Sequence, residues 1–494
     1  MRAVRACGLH RLCSDTTRPQ VRAAEPVLVR ARRWRVIVQA CCAAWLWTAC
    51  SFEPKYSRPR APVPARFPQG EAYAAASGGP AADSSKPQSL SWRALFLHPS
   101  LRRVVTVALS DNRDLRGAIA DMKAARAQYD FARAGVYPSL GVIAGADLRR
   151  REGENIHDFS LLAGAESFEL DVFGRLRSLS HRARELYFSS QSQTQAVRLT
   201  LISDTARAWL NLCANRSLLD IARQTQASAS ELVRLTQSRF EGGISSELDV
   251  RQAETVLAQA RSDVAAYTTA VAQAENALRL LAGRDTDMAD VPADFVASED
   301  WLALLPANLD SRVLLTRPEV QAAEHALRAS NANIGAARAA YFPRISLTAL
   351  GGFISDALSS LLRAGSLAFQ VSPTARLPIF TAGANDAQLR GAYAQRQRYI
   401  ADYERAIQYA FRDAADALAR RGTIEEQLGA QRALVSAAES GYQLADARYR
   451  AGAESYLNAL DAQRTLYTAR RALVLAQRTR AENLVALYRV LGRD

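Results

Sequence analysis

The sequence predicts a mainly α-helical protein that consists of two copies of one repeated unit. Each unit also supplies two β-strands suited to a membrane β-barrel. Matching residues recur at a nearly constant offset: Tyr137 and Phe342 lie 205 residues apart, and Gly243 and Gly452 lie 209 apart. Residues 175–241 contain neither glycine nor proline, which predicts a single helix of 67 residues. Shorter segments ahead of this helix alternate in polarity with a period of two, which predicts strands.

A net charge of +14 on 494 residues would suit a nucleic-acid partner, but half of that charge lies at the N-terminus. Residues 1–49 hold nine arginines against Asp15 and Glu25, a balance of +7. The later arginines are interspersed with Glu and Asp along the helical segments, which is the pattern of a solvated helix face. We therefore predict no nucleic-acid partner.

The N-terminal segment 1–49 is interpreted as a secretory signal peptide, because a basic stretch precedes the apolar run Val36–Ala49. That run is shorter than the roughly 20 residues of a transmembrane helix, and a short uncleaved anchor helix is the alternative. The residues before Cys50 resemble the lipobox of bacterial lipoproteins, with Trp47 in place of the usual Leu, and imply that Cys50 is the lipid anchor. Since the basic stretch begins only at Arg30, a translation start further downstream is also an alternative.

Composition predicts the boundaries of the remaining segments. Residues 50–90 carry seven prolines and a Ser/Gly/Ala-rich stretch, which predicts an extended, lipid-anchored leader that cannot form a packed core of its own. The first repeat is predicted at 91–283 and the second at 310–494. A linker at 284–309, which contains two prolines, joins them.

Each unit is predicted to begin with a helix, at 114–136 and at 318–341, with Thr316 and Pro318 in capping and first-turn positions of the second. A proline then ends each helix. Alternating segments follow and predict four strands, two in each unit, at residues 140–148, 159–170, 345–354 and 367–377.

A very long helical hairpin follows each pair of strands. Residues 175–241 would span about 100 Å at about 1.5 Å per residue, which is more than a globular domain can bury. A Gly-Gly pair then interrupts the helix, and Ser246 with Asp249 predicts a capping box that opens a second helix ending at Ala282. The second unit repeats this pattern, with Gly452 at the equivalent turn.

Four strands cannot close a barrel, since the smallest stable barrels have about eight and open edges would stay unpaired. The chain is therefore predicted to be oligomeric, and either two copies with eight strands or three copies with twelve would close the sheet. The strands have one apolar face and one small or polar face, as a lipid-facing barrel around an aqueous lumen requires. A soluble α+β protein with hairpins packed on helices is the alternative.

Aromatic residues suited to an interfacial girdle stand where helix meets strand: Tyr137, Phe173, Phe342 and Phe380.

Four motifs together resemble the outer-membrane factors of the TolC and OprM type, in the lipoprotein branch of the drug-efflux systems. They are the proline-rich stretch at 54–64, the sequence ELDVFGR at 169–175, the sequence LPIF at 377–380, and the region from 448 to 464 that begins RY and ends LDAQR. The resemblance covers essentially residues 50–494. It implies a homotrimer with a twelve-stranded barrel in the outer membrane and a helical tunnel in the periplasm.

The resemblance also implies function and partners. The chain would be a passive, gated channel subunit of a tripartite efflux or export system. Its partners would be two further copies of itself, a periplasmic adaptor protein, an inner-membrane pump of the RND type and outer-membrane lipid.

A gate near the periplasmic tips of the helices is implied by the same resemblance. The matching residues are Asp249 in the first unit and Tyr449, Leu457, Asp461 and Arg464 in the second. Asp461 and Arg464 lie three positions apart on a helix, so they can pair within the chain or reach a neighbouring copy. Each candidate also has a purely structural alternative: Asp249 as a capping carboxylate, Leu457 as a packing residue, and Asp461 with Arg464 as a solvated pair.

The tip turns are the predicted contacts with the adaptor, because the family docks there. The candidate residues are Gly242, Gly243, Ser245, Gly452 and Ala453. An ordinary helical turn is the alternative.

The sequence does not predict an enzyme. The five histidines show no metal-ligand spacing, and neither a phosphate-binding glycine loop nor a GxSxG motif is present, so no catalytic residue, metal site or cofactor is predicted. The main functional alternative is a lipid-anchored periplasmic coiled-coil adaptor, or a structural protein of the same machines. Such a protein would lack the two strand hairpins.

Overall fold

The computed structural model describes residues 51–73, 91–151, 154–295, 301–303 and 311–491; Cys50 and the predicted signal 1–49 lie outside the described residues. The elements in chain order are α1 (Trp92–Leu95), α2 (Pro99–Asp111), α3 (Arg113–Ala134), β1 (Leu140–Arg151), β2 (Glu154–Leu170), α4 (Arg175–Glu241), α5 (Glu247–Ala282), a 3₁₀ segment (Ser311–Thr316), α6 (Pro318–Ala339), β3 (Arg344–Ser355), short 3₁₀ turns (Leu358–Ser360 and Ala364–Ser366), β4 (Leu367–Arg376), α7 (Ala384–Arg450) and α8 (Tyr456–Leu491).

The duplication is visible in the lengths of the helices. Helices α4 and α7 both contain 67 residues, and α5 and α8 both contain 36. Each of the two long helices starts after a glycine in the left-handed region, Gly174 at φ 71° and Gly383 at φ 82°, a conformation that glycine adopts without steric cost. The predicted fold, a repeated unit of helix, strand hairpin and long helical hairpin, is confirmed.

The four strands form one antiparallel sheet in the order β1-β2-β3-β4. Residues directly opposite each other point to the same face, and the register places Leu161 opposite Phe353, which in turn lies opposite Leu367. The alternating apolar positions of the strands therefore share one face, and Ile143, Leu162 and Leu350 are exceptions on the other face. A bulge between Ala165 and Phe168 interrupts β2. Both strands of the first hairpin are longer than predicted, because backbone pairing continues through its charged end as far as Arg151.

The main helical core lies where α1 and α2 pack against α4, with α8 completing it. Trp209 of α4 meets Trp301 edge to face at 5.1 Å between ring centroids, and Phe295 meets the same ring at 5.4 Å. Phe295 and Trp301 belong to the predicted linker at 284–309, so that segment contributes buried side chains to the core. Helix α4 also packs along α6 and α8, which joins the two repeats.

Residues 51–73, here called the N-terminal strap, contain no strand and no α-helix. Their apolar side chains nevertheless pack on the second repeat: Tyr56, Val63 and Phe67 lie against a cluster around Tyr403, and Phe67 stacks on Phe411 at 5.1 Å. A proline-rich segment that cannot form its own core thus uses the core of the helices.

The predicted cap of α6 is wrong. The N-cap residue is Arg317, which makes no side-chain capping bond. The hydroxyl of Thr316 instead donates to the carbonyl oxygen of Val313 at 2.6 Å, because a 3₁₀ turn runs directly into the helix and its carbonyl competes for that hydroxyl.

Candidate functional site

The helical tip consists of two turns of the same design, between α4 and α5 and between α7 and α8. Gly243 and Gly452 both have φ 75°. In both turns the next residue donates its backbone N–H to the carbonyl five positions earlier, Ile244 at 2.8 Å and Ala453 at 2.9 Å. These bonds satisfy the last helical carbonyls, as is typical of helices that end at a glycine.

The predicted adaptor contacts lie at the surface of these turns. Four of the five candidates are exposed and Ser245 is half-buried. Ile244, which is 78% exposed between them, was missing from the predicted set. An apolar residue directly after a Gly-Gly pair was the signal that could have identified it.

Tyr449 is buried, with only 2% of its surface exposed. Its hydroxyl lies 2.9 Å from Thr236 Oγ1, and its ring meets Tyr456 edge to face at 5.5 Å. Tyr449 therefore connects the end of α7 to α4 in the other repeat.

Arg239 makes the second connection between the repeats and was also missed. Its Nη1 donates to the carbonyl oxygen of Tyr449 at 2.7 Å, and its Nη2 donates to that of Arg450 at 2.9 Å. Its guanidinium carbon lies 4.4 Å from the Tyr449 ring centroid. A cation at the C-terminus of a helix satisfies free carbonyls and interacts favourably with the helix dipole. The repeated Arg-aromatic dipeptides at 239–240 and 448–449 were the available signal.

Asp249 is engaged in a reciprocal capping box. Its Oδ2 accepts from the backbone N–H of Ser246 at 3.0 Å, while its own N–H donates to Ser246 Oγ at 3.2 Å. Asp249 therefore serves as the cap at the start of α5. The hydroxyl of Tyr449, the other candidate nearby, pairs with Thr236 and not with Asp249.

The other gate candidates lie at the surface of the chain. Leu457 is 56% exposed, and Asp461 and Arg464 are both exposed. Among the residues that the structure describes, neither Asp461 nor Arg464 has an ion-pair partner, so the two side chains do not pair with each other within the chain. Arg464 also lines a cavity of about 280 Å³ between α4, α5 and α8.

At the other end of α4, the motif at 169–175 forms the turn from strand to helix. Arg175 binds Glu169 through two nitrogens, at 2.8 and 2.6 Å. The carboxylate of Asp171 accepts the backbone N–H groups of Leu176 at 2.9 Å and Arg177 at 2.8 Å. These bonds satisfy the first donors of the 67-residue helix.

The predicted aromatic girdle divides into two groups. Phe173 and Phe342 stack at 5.0 Å, and Phe52 of the strap stacks on Phe342 at 4.5 Å. Tyr137 and Phe380 are exposed. The strap therefore starts at the junction of sheet and helices and contacts both repeats there.

A partly buried ionic cluster holds the strap below this junction. Nδ1 of His181 lies 2.7 Å from Glu53 of the strap, and Glu185 bridges His181 and His325. Hydrogen bonds to Glu185 and Glu53 raise the pKa of His181 to about 9. Burial alone would raise the pKa of Glu185, but hydrogen bonds from His181 and His325 hold it well below its usual range.

Cys213 is a buried free thiol, and burial raises its pKa far above the usual range, so it is not a nucleophile at neutral pH.

No helix in the described ranges is both long and apolar enough to cross a membrane. Within those same ranges no group of three or more His, Cys, Asp or Glu side chains could hold a metal ion.

Comparisons with known proteins agree with this geometry. A family model described as outer membrane efflux protein matches residues 104–284 and 309–493. The probable efflux pump outer membrane protein TtgC of Pseudomonas putida is 39% identical over 458 residues, which cover 91% of this chain and 93% of the relative. The cation efflux system protein CusC of Escherichia coli O157:H7 is 37% identical over 456 residues, which cover 91% and 97%. The open state of the Neisseria gonorrhoeae MtrE outer membrane channel aligns with a TM-score of 0.80 at 34% identity and covers 90% and 98%.

These matches confirm the resemblance and the outer-membrane efflux function that it implies, and the alternative of a periplasmic adaptor is set aside. Lipid anchoring at Cys50 stays a prediction. The chain belongs to the outer membrane efflux protein family.

Proposed function

We propose that three copies of this chain form a passive, gated conduit through the outer membrane, which receives cargo from an inner-membrane pump of the RND type through a periplasmic adaptor. The observation that supports this proposal is the pairing of the strands at the two edges of the sheet. Within the described residues, β1 and β4 each have a strand partner on one side only. In lipid each unsatisfied backbone group costs several kcal/mol, so copies must pair edge to edge. Three copies of four strands give the twelve-stranded barrel of the prediction.

The two faces of the sheet suit this arrangement. Large apolar side chains stand exposed on one face, and Phe369 with 87% of its surface exposed is the extreme case. Lipid would cover these side chains. Ser346 and Thr374 lie opposite each other on the other face, where they would contact water in the lumen. The soluble α+β alternative would leave the apolar face in water.

The proposed conduit performs no reaction, so the chain is not an enzyme. Helices α4 and α7, at about 1.5 Å per residue, each extend about 100 Å and would form the wall of a periplasmic tunnel. The related proteins carry names for efflux of toluene, antibiotic and cation. Because the cargo differs so widely among relatives, the pump and adaptor would select the cargo.

The gate of this conduit lies at the tip. Asp461 and Arg464 are exposed and have no ion-pair partner among the described residues, which suits a link to the adjacent copy. The Leu457 side chains of the three copies would form an apolar ring. Tyr449 would fix the end of α7 to α4, and Asp249 would cap α5. The adaptor would bind the exposed turns, with Ile244 as the main apolar contact in addition to the predicted residues.

Lipid on Cys50 would hold the strap at the membrane surface. The first aromatic contact of the strap, at Phe52, lies only two positions after Cys50, so the lipid would sit close to the junction of sheet and helices. A Cys50→Ser variant should remove the acyl chains but keep the trimer, since the sheet edges would hold the copies together.

The proposal is tested with the full-length protein extracted from membranes. Unheated gel migration should show a trimer, and planar bilayers should show a channel of low open probability. A double variant, Asp461→Ala with Arg464→Ala, should open it, because exposed pairs contribute up to about 1 kcal/mol each and three copies act together. A monomer in the periplasmic fraction without channel activity would contradict the conduit, whereas a normal closed channel in the double variant would contradict only the gate assignment.

A further inference from the structure

The two tips can be compared residue by residue, because the offset between the repeats is constant at 209 throughout this region. Four pairs of equivalent positions differ in their contacts or in their chemistry. The pairs are Thr236 and Ala445, Arg239 and Arg448, Phe240 and Tyr449, and Ser245 and Glu454.

Within one chain, the first repeat holds the second through Arg239. Its guanidinium donates to the last carbonyls of α7 and lies over the ring of Tyr449. The position in its own turn that is equivalent to Glu454 holds the uncharged Ser245, which cannot compete for this guanidinium as a carboxylate would. We call this contact the internal joint.

The equivalent arginine of the second repeat behaves differently. Arg448 Nε binds the carboxylate of Glu454 in its own turn at 3.0 Å. The aromatic residues differ as well: Tyr449 is 2% exposed, whereas Phe240 is 40% exposed. The adjacent α4 of the other repeat covers Tyr449, but within the described part of one chain no helix of the other repeat covers Phe240 in the same way.

We propose that Arg448 makes the same contact as Arg239, but with a second copy of the chain. In the trimer, which is part of the proposed function, each second repeat is followed by the first repeat of the next copy. Arg448 then donates to the C-terminal carbonyls of α4 at Phe240 and Glu241 of that copy and covers the ring of Phe240. Glu454 competes for Arg448 and holds it in its own turn when the joint between copies is open.

The tip therefore contains two kinds of joint. The internal joint has the arginine, the Tyr449–Thr236 hydrogen bond and no competing carboxylate at position 245. The joint between copies has neither hydroxyl, because Phe240 replaces the tyrosine and Ala445 stands at the position equivalent to Thr236. The joint between copies is therefore the weaker of the two.

Exchanging the competing residue between the two turns tests this inference. Glu454→Ser should free Arg448 and lower the open probability in planar bilayers, by roughly two- to fivefold for each joint, the range of an exposed charge contact. Ser245→Glu should give Arg239 a competitor and raise the open probability. Glu454→Ser should have no effect in an Arg448→Leu background, which separates competition for the arginine from a change of charge in the lumen.

Both turns are at the surface, and unheated gel migration checks that each variant assembles. An unchanged or higher open probability in Glu454→Ser would overturn the inference, as would an effect that persists in the Arg448→Leu background. If the wild-type channel and trimer form normally in those cases, the conduit proposal still stands. Absence of a trimer in the wild type would overturn both, because the joint needs an adjacent copy.

Discussion

Gly422 of α7 is the place where the end of the strap crosses the middle of a long helix. A Cβ atom at this position would lie 2.7 Å from the carbonyl carbon of Ala72 and 3.2 Å from Cα of Tyr73, and closer still to the Ala72 oxygen. These are backbone atoms, which cannot rotate aside as a side chain can. A Gly422→Ala substitution must therefore displace the strap.

The expected magnitude follows from two opposing effects. Alanine stabilises a helix interior by about 0.5–1 kcal/mol relative to glycine. Displacing the strap weakens the packing of Tyr73 and Phe67, which both lie against the main core, and full exposure of one such side chain costs about 1.5–3 kcal/mol. We expect a net loss of about 1–2 kcal/mol, concentrated in the strap.

Gly429 provides the matched control, since it lies two turns further along the same face of α7 and a Cβ there would meet nothing within 4 Å. Hydrogen exchange of residues 66–73 should become roughly 5- to 30-fold faster in Gly422→Ala, with a lower apparent melting temperature. Gly429→Ala should leave strap exchange unchanged and raise the melting temperature slightly. If both variants were stabilised equally and strap exchange did not change, the crossing at Gly422 would be refuted.

Three further predictions concern the ends of the helices and the strap. Asp171→Ala removes the acceptor for two N–H groups at the start of α4 and should cost about 1–2 kcal/mol, seen as a lower apparent melting temperature. His181 has a pKa of about 9 in the folded chain against an ordinary 6.5, so its stabilisation is complete below about pH 6.5 and is lost as the pH rises through 9; the melting temperature should fall over this interval in the wild type but not in His181→Gln. Tyr449→Phe removes the hydrogen bond to Thr236, worth about 1 kcal/mol, and should raise the open probability in bilayers. Adding Thr236→Val to that variant should change little, and a large additional effect would contradict the pairing.

The helices were predictable because local signals mark their ends. The boundaries 175–241 and 247–282 agree with the structure to the residue. The glycines end the first helix and the capping box begins the second, and both signals act irrespective of tertiary contacts. The strands were predictable in position for a similar reason, as the period of two is visible in the sequence. Thr316 shows the limit of this approach, because a preceding 3₁₀ turn changed the partner of its hydroxyl.

The contacts at the tip could not be predicted in the same way. Arg239 binds carbonyls 210 and 211 positions away, and only the packing of two separate helical hairpins brings these groups together. The repeated Arg-aromatic dipeptides could draw attention to Arg239, but its partners are backbone carbonyls, which carry no residue type and leave no sign in the sequence. Asp461 and Arg464 present the opposite difficulty: their motif was found, but their partners belong to other copies in the proposed trimer.

The helices of the two repeats have equal lengths for a structural reason. The offset between equivalent positions is 205 at the starts of α3 and α6, but 209 at Gly174 and Gly383 and at every helix boundary beyond them. All length variation thus falls in the strands and their connections, where two residues separate β1 from β2 and eleven separate β3 from β4. Extra residues in a connection at the end of a hairpin disturb no packing. One extra residue in α7 would move its C-terminal carbonyls by about 1.5 Å and about 100° around the helix axis, away from Arg239. Equal helix lengths are therefore required by the contact at the tip, which only works when both hairpins end at the same level.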